Sequence, residues 1–70
     1  MSNKKFIIET LTQELENACA YLAVGDKDLF RYHAGKADGI RDILENCFDW
    51  GEYYATEHIK AMWEIVDENW

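Results

Sequence analysis

Proline is absent from the 70-residue chain, and serine occurs once, as Ser2. Without proline nothing in the sequence forbids long helices. A lone terminal serine excludes a Gly-x-Ser-x-Gly nucleophile elbow. The four glycines form no phosphate-cradling cluster, and three of them fall where a helix begins, bends or ends. Cysteine is scarce too: Cys19 and Cys47 are the whole complement. They have neither the close spacing of a metal clip nor a partner in any Cys-x-x-Cys, His-Glu-x-x-His or Glu-x-x-His pattern, so two buried thiols in a reducing cytoplasm are expected. No apolar run approaches the roughly 18 residues that a membrane span requires, and the stretch from Met1 to Ile8 has no signal-peptide pattern. Basic side chains are in deficit, seven against fourteen acids, for a net charge of -7. That balance repels nucleic acid and anionic membrane surfaces, so neither is expected as a direct partner.

What remains is rich in apolar and ring-bearing residues. Hydrophobic residues make up 49% of the chain and aromatics 14%, a load that a disordered segment does not carry. Ile8, Leu11, Leu15, Ala18, Cys19 and Leu22 recur at steps of three and four, one stripe of an amphipathic helix over about 3–24 that Gly25 ends. Asp26 then caps a second helix over about 27–47. Its stripe is Leu29, His33, Ala37, Ile40, Leu44 and Cys47, widened by Phe30, Ile43 and Phe48. The third is predicted over about 50–68, with Asp49 and Glu52 in capping-box register and Ala55, His58, Ile59, Met62, Ile65 and Val66 as its stripe. Helices of about 30 Å joined by short turns bury three stripes by packing antiparallel to their neighbours. The expected fold is a single all-α domain, residues 1–70, built as a small antiparallel three-helix bundle. Its weakest junction is Phe48 to Gly51, where the second helix can instead run on into the third and pair with another chain.

Charge is uneven along this frame. Residues 1–24 carry two basic and three acidic groups, residues 25–48 four and five, and residues 49–70 one and six. Carboxylates at Glu64, Asp67 and Glu68 oppose the negative end of the helix dipole. Bundle topology predicts an internal remedy: Lys27 and Arg31 beside those acids, with Lys4 and Lys5 near Glu45, Asp49 and Glu52. The functional expectation is a docking surface on the third helix for a basic site of a partner protein. In it Glu57, Glu64, Asp67 and Glu68 supply charge, and Tyr53, Trp63 and Trp70 supply ring anchors. Tyr53, and Phe6 and Tyr21 on the back of the first helix, are expected to be exposed, whereas Trp63 and Trp70 are equally readable as wide core edges that tuck the ring body inward and keep the indole N–H wet.

Such a ligand acts as an inhibitor or modulator. One version imitates the phosphates of nucleic acid to block a polymerase, nuclease or repressor; small acidic phage proteins that disarm host or defence enzymes are similar in size and charge, a likeness of composition. Two rivals belong to other classes. A self-associating structural protein closes a homodimer over its rings and over Gly35 and Gly39, whose small-xxx-small spacing otherwise costs about 1 kcal/mol each in a helix interior. A metal or small-ligand protein uses His33, His58, Cys19 and Cys47. Asp38 and Asp42 stand one turn apart on a solvated face and do not form an acid–base pair, so catalysis and a cofactor are not expected. A helix-turn-helix reading of Ala23 to Asp26 fails because the helix that follows presents Asp38, Asp42 and Glu45 rather than a basic face.

Overall fold

The computed structural model describes the backbone of residues 3–47 and 56–70, and the side chains of 5–46 and 56–70. Those residues form three α-helices, α1 (Asn3–Ala23), α2 (Lys27–Cys47) and α3 (Glu57–Asn69), in a small all-α bundle. Contacts run in opposite order along α2 and α3, with Trp63 against Arg41 and Trp70 against Phe30, so these two helices are antiparallel. The closest association is between α1 and α2, followed by α1 with α3.

The first turn is built as the glycine and aspartate predict. Gly25 adopts φ +83°, a conformation that an L side chain rarely takes. It places the Gly25 N–H on the Leu22 carbonyl at 3.1 Å and the Asp26 N–H on the Tyr21 carbonyl at 2.9 Å. This Schellman motif satisfies carbonyls that the end of α1 leaves open. Asp26 then caps α2, its Oδ1 accepting from the Leu29 N–H at 3.1 Å.

The third helix starts later than its apolar spacing predicts. Thr56 is extended, at φ -63° and ψ 145°, and its hydroxyl accepts from the Ile59 N–H at 3.4 Å, which makes it the N-cap. An unbroken helix from α2 into α3 is therefore ruled out at Thr56. The capping pair Asp49 and Glu52, with Trp50, Tyr53 and Ala55, lies outside the described residues.

Leu11, Leu15 and Ala18 of α1, Phe30, Ala34, Ala37 and Leu44 of α2, and Ile59, Met62, Trp63 and Val66 of α3 form the core. Along α1 the expected stripe faces the core, with Leu11, Leu15 and Ala18 buried and Ile8, Cys19 and Leu22 half-buried against it. On α2 and α3 it holds in part: Phe30, Ala37 and Leu44, and Ile59, Met62 and Val66, are buried as expected, and the departures lie at the stripe edges. Leu29 and Ile43 are exposed while Phe30 is fully buried, and His58 and Ile65 are exposed while Trp63 is buried. Each helix turns its largest adjacent ring inward, since a buried Phe contributes about 1.5–3 kcal/mol and an indole offers more area still. Ala34 and Ala37, both fully buried, leave room for the close approach of α1 and α2.

Candidate functional site

Two arrangements of polar side chains lie on opposite sides of this frame. Between α1 and α2, Glu14 is buried and accepts two charge-assisted contacts, from His33 Nδ1 at 2.6 Å and from Lys36 Nζ at 2.8 Å. The His33 ring lies parallel to Tyr21, centroids 5.3 Å apart, and meets the edge of Tyr32 at 5.0 Å. Lys36 sits over the Tyr32 ring at 5.0 Å. Burial pushes the Glu14 carboxyl upward, but the hydrogen bonds from Lys36 and His33 and the Lys36 charge outweigh it and hold the group below its ordinary value. The same contact raises Lys36 above its own. Glu14 was legible as an oddity: it stands between Leu11, Leu15 and Ala18, a carboxylate at core spacing that requires a cation opposite.

Tyr21 is consequently half-buried against His33, not exposed on the back of α1, whereas Phe6 is exposed as expected. His58 is also displaced from expectation: it is exposed, 3.1 Å from Glu16 Oε2, at the α1–α3 seam. The two histidines thus serve separate interfaces. Cys19 is half-buried, with burial pushing its thiol upward, and the Cys47 side chain lies outside the described set. Among the described residues no group of three His, Cys, Asp or Glu side chains is placed to hold a metal ion.

The other arrangement involves α3. Glu57, Glu64, Asp67 and Glu68 are all exposed, and among the described residues no cation lies within 4.0 Å of any of them. Among the described residues the internal pairing expected from topology does not form. The end of α3 does reach the start of α2, through Trp70 and Phe30, yet Lys27 turns onto the Phe30 ring at 5.9 Å and Arg31 makes no ion pair among the described residues. Lys5 and Glu45 likewise stay apart, while the Lys4 side chain, Asp49 and Glu52 lie outside the described set. No basic residue occupies the last turn of α3, so its carboxylates also lack a counterweight against the helix dipole.

The rings divide. Trp63 is 7% exposed, sealed at the α2–α3 seam beneath the Arg41 guanidinium, 3.9 Å from its ring centroid. Trp70 is 53% exposed and meets Phe30 at a tilt of 59°. Tyr53 lies outside the described residues. Arg41 is held a second time, by Asp38 Oδ1 at 2.6 Å. Beside it, a groove of about 240 Å³ is lined by Arg41 and Glu45 of α2 and by Lys60, Trp63, Glu64 and Asp67 of α3. The structure therefore gathers Trp63, Glu64 and Asp67 into one groove and leaves Trp70 at the end of α3. The groove itself, with the α2 residues Arg41 and Glu45 in its wall, was not visible in a reading that treated α3 alone. Set against known proteins, the chain matches no family model, no curated protein and no solved structure.

Proposed function

We propose that this chain is a small acidic protein-binding module that occupies a basic site on a partner protein and thereby inhibits or modulates it. Imitation of nucleic acid at a phosphate-binding site is one form of the same chemistry, as in the anti-host or anti-defence proteins of phages. The observation that carries the reading is the solvent-facing set Glu57, Glu64, Asp67 and Glu68, without a cation within 4.0 Å among the described residues. Unpaired carboxylates on a rigid helix project a field that steers and orients a basic partner, and a half-open indole such as Trp70 adds apolar contact area beside them.

The test is capture of interacting protein from the native host by the intact chain and by a Glu64→Lys, Asp67→Lys, Glu68→Lys variant, each at low and raised salt. Capture is expected to vanish in the variant and weaken with salt, while circular dichroism changes little because these acids hold no internal partner. A folded variant that retains the same captured protein at the same salt dependence refutes the proposal.

A second reading, self-association into a homodimer, is favoured by the exposed apolar side chains Phe6, Val24, Ile43 and Ile65. A dimer that persists when the protein is diluted to nanomolar concentration would support it over free docking.

A further inference from the structure

We infer that α3 is the detachable part of this fold: it lifts from the α1–α2 hairpin and unwinds as one unit while the hairpin stays folded. The two parts are held in different ways. The polar ties of the α1–α2 seam, Glu14 with His33 and Lys36, join only those two helices, as do the Tyr21–His33 stack and the turn at Gly25. None of them breaks when α3 leaves. Among the described residues a single hydrogen bond ties α3 across its seams, between His58 Nε2 and Glu16 Oε2 at 3.1 Å, and both side chains are exposed. A solvated pair of that kind contributes little.

Burial of Ile59, Met62, Trp63 and Val66 is what holds α3 down, and Trp63 weakens that hold. Its Nε1 donor is sealed from water and meets no acceptor among the described residues. A donor stripped of water without replacement subtracts from what the buried indole contributes. Water meets that donor as soon as α3 lifts, so the penalty exists only in the docked form.

Once lifted, α3 does not persist as a helix. It has 13 residues, within the range of about 12–15 at which isolated helices are marginal in water. Asp67 and Glu68 sit in its last turns against the negative end of the dipole, with no basic residue there to offset them. The hairpin helices have 21 residues each and keep one another as partners. Docked, α3 holds Glu57, Glu64, Asp67 and Glu68 on one frame; open, it scatters them. Opening therefore withdraws the acidic surface, a consequence that rests on the docking reading above, whereas the opening itself does not.

The experiment is hydrogen exchange of the intact native protein in sub-denaturing urea, followed by nitrogen-proton NMR. The amides of Ile59, Met62, Trp63 and Val66, with the Trp63 indole N–H, are expected to share one opening. It is expected to be at least about tenfold more populated than the opening that exposes the Leu15, Ala34 and Ala37 amides, with a shallower urea slope because less surface is uncovered. Asp26→Ala weakens a cap of α2 that persists while α3 is open. It is expected to speed exchange of the hairpin amides about fivefold and to leave those of α3 unchanged. One common rate and slope for all three helices, an α1 or α2 opening ahead of α3, or an Asp26→Ala variant that speeds α3 equally would each overturn the inference. No partner enters these measurements, so this inference and the docking proposal, with its own charge-reversal test, can fail separately.

Discussion

The α1–α2 seam and the α2–α3 seam are made from similar materials and put together differently. In the first, a buried carboxylate meets a lysine and a histidine, that histidine ring stacks on a tyrosine, and alanines let the helices close. Nothing there calls for an outside partner. In the second, the indole donor is unmet, the carboxylates stand apart from the bases one turn away, and a groove stays open. The first arrangement suits holding a hairpin together. The second leaves carboxylates facing outward, and the proposed docking surface on the α3 side rests on that contrast.

The contrast breaks most readily in the core common to both seams. Phe30 is fully buried yet also touches Trp70. Phe30→Ala is expected to cost about 3–5 kcal/mol, a large share of the stability of any domain this small. Urea denaturation followed by circular dichroism measures the loss. A cost under about 1 kcal/mol would mean that Phe30 is not packed as the core residue it resembles.

The next largest effect isolates the first seam. Glu14→Gln keeps the shape but removes the charge that His33 and Lys36 share, and is expected to cost about 1.5–3 kcal/mol at neutral pH. The sign with pH follows from the direction of the shift. Because folding lowers the Glu14 value below the ordinary 4.5, its contribution is complete above that value and is lost as pH falls through the folded one. Wild type and variant therefore converge in acid. A stability difference that stayed constant from neutral pH to pH 3 would remove the carboxylate from the account of this seam.

How legible all this was depends on the kind of information involved. The helical class and the turn at Gly25 and Asp26 were readable because they are local: periodicity, a glycine free to take positive φ, and an acid before a helix are each written in neighbouring residues. The edges of the α2 and α3 stripes were not, because Leu29 and Phe30, or Ile65 and Val66, are adjacent and both apolar. Only packing against a neighbouring helix decides which turns inward. Thr56 was readable in principle as a capping residue, but Asp49 and Glu52 offered a more regular capping box upstream. The fate of the charges was least legible. Topology correctly placed the end of α3 beside the start of α2, yet proximity of helices did not become pairing of side chains, because Lys27 rests on Phe30 instead.

The smallest effect probes the outer surface of α2, which neither seam uses. Gly35 and Gly39 are helical and exposed, and a Cβ built on either meets nothing within 4 Å. Inside one chain, then, the added methyl meets no obstacle, and helix propensity alone decides the outcome. Gly35→Ala and Gly39→Ala are each expected to stabilise the protein by about 0.5–1 kcal/mol, read as a raised denaturation midpoint with an unchanged slope. The same substitutions discriminate between docking and self-association. If another copy packs closely on this face, the methyl groups intrude on it, and the variants weaken a dimer detected by sedimentation while failing to gain stability. A free face gives the opposite pair of results, gained stability and unchanged association, and leaves the acidic α3 side as the surface on which partner binding is to be sought.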